Sequence, residues 1–127
     1  MAKTNYPVGD FLIRVKNAAL ARQKQVVVAK TNIIAAVAKL LKEEGYLSEV
    51  VEEGGKLNIK LAYRKKEPVL LDIVLMSKPG LRVYMGADEM EERKGPAQIV
   101  VSTSKGLMTE GQAVKKRLGG EVIAKIY

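Results

Sequence analysis

Apolar side chains recur at helical spacing near the start of the chain, where Val8, Phe11, Leu12, Val15, Ala18 and Ala19 share one face. Thr4 or Asn5 can cap this helix, and Pro7 suits its first turn. Asp10 lies early, where the helix dipole favours negative charge. The β-branched run Gln25–Ala29 reads as a short strand. A second helix starts at a Thr31 or Asn32 cap, places Ile33, Val37, Leu40 and Leu41 toward the core, and stops at Gly45. Leu47–Glu53 and residues 56–63 then form a hairpin about Gly54-Gly55, with Leu57, Ile59, Leu61 and Tyr63 alternating inward. Arg64-Lys65-Lys66-Glu67-Pro68 is polar and ends in proline, as a turn or lobe boundary does.

Beyond it the pattern is more strand-like. Residues 69–76, 81–85, 97–101 and 121–127 read as strands. Residues 86–96 read as a charged loop with room for one helical turn. Residues 109–118 read as a short helix, with Thr109 and Gln112 at capping-box spacing and Gly119 as its stop. The predicted architecture is α+β: two small packed domains, an α-β-α-β-β lobe over residues 1–66 and a mainly β lobe with one short helix over residues 67–127.

Composition narrows the function. The 127 residues are 47% hydrophobic, enough to build a core, and they contain no cysteine and no histidine. Disulfides, thiolate nucleophiles, imidazole acid–base chemistry and the usual zinc sites are thereby excluded. Net charge is +8, divided as +7 over residues 1–42, −4 over 43–92 and +5 over 93–127. Basic ends favour a polyanionic partner, because Lys and Arg release the counterions condensed on nucleic acid. No apolar stretch approaches the ~20 residues that span a bilayer, and Met1-Ala2-Lys3-Thr4 leads into no signal-like apolar run. A cytoplasmic protein without a membrane partner is expected.

Neither phosphate-loop nor dinucleotide-fold glycine motifs occur. Ser102 and Lys105 match S-x-x-K, but four residues match by chance often and no companion motif appears. The acidic pairs Glu43-Glu44, Glu52-Glu53, Asp88-Glu89 and Glu91-Glu92 read as solvated. Ser102-Thr103-Ser104-Lys105-Gly106 is the most informative segment. Its short hydroxyls can reach base edges, 2′-hydroxyls and phosphates, its ammonium can meet a phosphate, and Gly106 permits close approach. The same residues also fit an ordinary polar turn. In Ser77-Lys78-Pro79-Gly80-Leu81-Arg82-Val83-Tyr84, Lys78 and Arg82 could bind phosphates and Tyr84 could stack on a base; a tight turn with a core tyrosine is the competing reading. Lys115-Lys116-Arg117 can simply complement a helix C-terminus.

Taken in order, these segments resemble the universal small-subunit ribosomal protein number eight family in its bacterial form. The resemblance runs through Tyr6-Pro7-Val8-Gly9-Asp10-Phe11-Leu12, Arg14, Asn17-Ala18, Leu41-Lys42-Glu43-Glu44-Gly45-Tyr46, residues 77–84, Gly86-Ala87-Asp88-Glu89, residues 102–106, Met108-Thr109 and Gly119-Gly120-Glu121-Val122. It implies a cytoplasmic, ribosome-bound protein without enzymatic activity or cofactor, which binds the central domain of small-subunit ribosomal RNA and helps assemble the platform. It also implies that Ser102, Thr103, Ser104, Lys105 and Gly106 read RNA, with Tyr84, Gly120 and Glu121 beside them. Lys3, Thr4, Lys30 and Thr31 would make lesser backbone contacts. Small-subunit proteins five and twelve would be neighbours, and the protein's own messenger RNA a second ligand. Three places depart from the family pattern: the charged, slightly short stretch at residues 90–98, Ile34-Ala35 where lysines are frequent, and Tyr127 where tryptophan is common. Two rivals are a small DNA-binding regulator, for which no clear recognition helix or dimer symmetry is visible, and a hydrolase using Ser102 and Lys105.

Overall fold

Alternating burial along the central strand of the first sheet explains how this chain closes its first core. The computed structural model describes residues 6–93 and 95–127, and its backbone divides into two units, Pro7–Asp72 and Tyr6 with Ile73–Tyr127. In the first unit, helix α1 (Pro7–Leu20) is followed by β1 (Gln25–Ala29), α2 (Asn32–Glu43), β2 (Leu47–Glu53) and β3 (Lys56–Leu61). The strands form an antiparallel sheet in the order β1-β3-β2. Leu57, Ile59 and Leu61 of β3 are buried, as are Val26 and Val28 of β1. The expected apolar face of α1 is buried in full, with Leu12 and Val15 completely inaccessible. Each such side chain contributes about 1.5–3 kcal/mol by leaving water.

Two local results refine the sequence reading here. Thr31, not Asn32, caps α2, its hydroxyl oxygen accepting from the Ile34 N–H at 3.2 Å. Ile33 is exposed and Ile34 takes the core position, with Val37, Ala38, Leu40 and Leu41. Both isoleucines satisfy helical spacing toward Val37, and burial of Ala38 turns the stripe to Ile34. Gly45 ends the helix at φ +90°, with its N–H on Lys42 O and the Tyr46 N–H on Leu41 O, the paired bonds of a Schellman end. A small hairpin, β4 (Tyr63–Arg64) with β5 (Glu67–Pro68), lies where a turn was expected.

The second unit contains β6 (Ile73–Leu75), β7 (Tyr84–Met85), α3 (Ala87–Glu92), β8 (Gln98–Thr103), β9 (Gly106–Thr109), α4 (Glu110–Lys115) and β10 (Gly120–Ile126). Its sheet runs β6-β10-β8-β9, with β7 also pairing to β10. The strands expected at 69–76 and 81–85 are cut short because β10 sets the available ladder. It pairs Ile126 with Ile73 at one end and Gly120 with Met85 at the other. Strand β9 is an addition to the sequence reading, hairpin-paired with β8 from Val100–Thr109 to Thr103–Gly106. Helix α3 occupies the charged segment in which a loop with one helical turn was expected, with Met90 buried against Ile99, Val101, Met108, Ala113 and Val122. The divergent stretch is therefore tied into the core, and Arg93 anchors it through a 2.9 Å Nε–Oε2 bond to Glu110. That bond holds the guanidinium pKa above its usual value.

The capping box of α4 forms as its spacing predicts: Thr109 Oγ1 accepts from the Gln112 N–H, and Gln112 Oε1 accepts from the Thr109 N–H. Gly119 does not supply the left-handed stop. Arg117 does, at φ +56°, while Gly119 and Gly120 admit neighbouring backbone. A Cβ on Gly119 would lie 2.9 Å from Met85 O, and one on Gly120 would collide with Ser102 O.

Candidate nucleic-acid interface

Register places three of the predicted residues in one row. Tyr84 of β7 pairs with Glu121 of β10, and Glu121 pairs in turn with Ser102 of β8. Direct antiparallel partners project to the same face, so a phenol, a carboxylate and a hydroxyl stand side by side. Tyr84 is 66% exposed, although an aromatic residue in a strand would ordinarily serve the core. Gly120, whose missing side chain lets β10 approach β8, is what makes this close row sterically possible.

The β8–β9 turn continues from the row. Thr103 Oγ1 accepts from the Lys105 N–H at 3.1 Å and donates to Gly106 O at 2.9 Å. Its hydroxyl thus shapes the turn. Gly106 adopts φ +112°, a conformation that side chains resist. The Ser104 and Lys105 side chains are left exposed, with no polar partner among the described residues.

The segment 77–84 is held by a buried hydroxyl. Ser77 Oγ donates to Val122 O at 2.7 Å and accepts from the Val83 N–H at 2.9 Å. Between these anchors Lys78 and Leu81 close a tight turn with Gly80 at φ +82°. Lys78 is exposed. Arg82 instead reaches back: its Nη1 lies 3.1 Å from Glu121 Oε2, and its guanidinium lies 5.3 Å from the Tyr6 ring centroid. Burial, with Glu121 nearby, raises the Tyr6 phenol above its ordinary pKa, and Arg82 opposes this. The Arg82–Glu121–Tyr6 grouping was not legible in the sequence, because its members lie 39 residues apart or more.

Lys30 and Thr31 belong to the other unit. Lys30 Nζ lies 3.0 Å from Glu52 Oε1, and Thr31 is the α2 cap. Lys3 and Thr4 lie outside the described residues. Arg117, itself exposed, pairs with Asp88 and Glu91, leaving Lys115 and Lys116 as the cations at the end of α4 without a carboxylate partner among the described residues. No described helix is long and apolar enough to cross a membrane.

Comparison with known proteins shows the family. Residues 6–127 match the family described as Ribosomal protein S8. The small ribosomal subunit protein uS8 of Mycoplasmopsis synoviae is 41% identical over 127 residues, covering 95% of this chain and 96% of the relative. That of Nitratidesulfovibrio vulgaris strain Miyazaki F is 37% identical, covering 95% and 97%. That of Synechococcus sp. strain JA-3-3Ab is 38% identical over the whole of both chains. The chain belongs to the ribosomal protein S8 family, whose members are structural ribosomal proteins and not enzymes.

Proposed function

We propose that this protein is a constituent of the small ribosomal subunit that binds small-subunit ribosomal RNA directly in its central domain and helps assemble the platform. The observation that carries this reading is the row Tyr84–Glu121–Ser102 beside the exposed Ser104 and Lys105. Tyr84 offers a face on which an unstacked base can lie. Ser102 and Ser104 offer donors and acceptors short enough for base edges and 2′-hydroxyls. Lys105 supplies a phosphate contact, which adds affinity without sequence information. Glu121 keeps Arg82 beside the row by charge and hydrogen bonding. Lys78 is a further exposed cation at this site.

The two units correspond in this reading to an N-terminal lobe that makes lesser contacts and a C-terminal lobe that recognises an irregular RNA helix. Small-subunit proteins five and twelve are the proposed protein neighbours. The same face would bind the protein's own messenger RNA if that message presents a similar irregular helix. Competition between a central-domain hairpin and a regular RNA duplex of equal length, at physiological salt, tests the reading. Strong preference for the hairpin is expected; equal binding would contradict it.

A further inference from the structure

A second concentration of charge lies on the Pro7–Asp72 unit. Arg22, Lys24, Ser48, Lys60, Tyr63 and Lys66 line a cavity of about 560 Å³. They come from the α1–β1 connection, strands β2 and β3 of the first sheet and the β4–β5 hairpin. Two carboxylates offset the four cations: Glu67 lies 3.0 Å from Arg22, and Glu49 lies 3.2 Å from Lys60. Lys24 and Lys66 have no carboxylate partner among the described residues. Both ion pairs are about half exposed, so they hold their cations weakly and can yield to another anion. The hydroxyls of Ser48 and Tyr63 donate to Lys60 O and Gln23 O. Anion binding therefore falls to the cations.

The backbone supplies an independent observation. Among the described residues, four non-glycine side chains occupy the left-handed region, and three of them, Arg22, Lys65 and Lys66, lie at or beside this basin. Arg22 follows α1 in a Schellman end, its N–H on Ala19 O and that of Gln23 on Ala18 O. Glycine or asparagine is the residue such an end favours. Lys65 and Lys66 form the two-residue loop between the paired Arg64 and Glu67, with φ of +52° and +68°. That loop is the kind for which Asn-Gly is preferred. Long cations thus stand where the backbone would be better served by glycine, and two of them, Arg22 and Lys66, line the cavity.

We infer that this basin is a second RNA-binding site, taking phosphodiester groups of the same RNA partner. The inference rests on the reading of the protein as an RNA binder. Four flexible cations around one basin suit evenly spaced phosphates, with Leu61, the Tyr63 ring and the lysine stems forming its apolar floor.

The test is the double variant Lys24→Ala with Lys66→Gly, measured on both the central-domain hairpin and the regular duplex across a salt series. Lys66→Gly relieves the backbone, so the thermal midpoint should hold or rise. The slope of log K against log salt should fall by about one to two units on both RNAs, at about 0.7–0.9 per lost contact. The hairpin-to-duplex ratio should stay constant. A wild-type slope in the folded variant would overturn the inference. So would displacement of poly-glutamate from the basin with no change in RNA slope. Should the wild-type protein show no hairpin preference while the variant still loses slope on the duplex, the basin stands and the ribosomal RNA reading fails.

Discussion

Two segments pair a lysine with a neighbouring hydroxyl at the end of a strand, and the structure uses them in opposite ways. At Lys30-Thr31 the hydroxyl caps α2 and the ammonium is engaged by Glu52. At Ser104-Lys105 the turn takes its internal bonds from Thr103, so the next hydroxyl and ammonium face water. Chemically similar pairs therefore carry different capacities for a ligand. What separates them is whether the backbone already needs their hydrogen bonds. A group that satisfies an orphan N–H loses that bond when it turns to RNA, whereas a group held clear by its neighbour does not.

The comparison can be broken by substitution. The largest effect is expected at Gly120, whose replacement by Ala sets a Cβ against Ser102 O. Backbone on both sides cannot give cheaply, so a loss of about 3 kcal/mol or more is expected in urea unfolding. A midpoint equal to that of the native chain would show that the β8–β10 approach is not as tight as described. Thr31→Ala removes a helix cap and should cost about 1 kcal/mol of stability. Its RNA affinity at fixed salt should not move; a fall in the folded variant would place the Thr31 hydroxyl at the interface. Lys105→Ala should do the reverse, leaving stability within about 0.5 kcal/mol while reducing the slope by about 0.7–0.9. The smallest change is expected for Lys30→Ala, which breaks one partly exposed ion pair worth less than about 1 kcal/mol. Chemical denaturation would detect any larger role.

The periodic parts of the molecule were readable because burial leaves a direct trace in spacing. The face of α1, the strand Gln25–Ala29 and the alternation of Leu57, Ile59 and Leu61 all follow from it. Strand length in the second unit was not readable, because it depends on where β10 begins and ends. Strand β9 escaped for a related reason: Gly-Leu-Met-Thr has little intrinsic β character, and its pairing with β8 makes it a strand. The candidate site was legible as a string of short polar residues. The division of labour within it was not, since sequence shows three hydroxyls without showing that Thr103 shapes the turn. The pairing of Arg82 with Glu121 was likewise not legible, since it joins side chains 39 residues apart.

Ser104→Phe offers the most direct test of the claim that the free groups of the β8–β9 turn read RNA shape. The measurement is the ratio of hairpin to regular-duplex affinity for this variant and the native chain at one salt concentration. A bulky ring at the exposed turn should lower hairpin affinity by about tenfold or more, the loss of roughly 1.4 kcal/mol of shape-specific contact. Duplex affinity should change little, so the ratio collapses. Equal losses on both RNAs, or an unchanged ratio, would contradict the account and leave the turn as a polar connection between two strands.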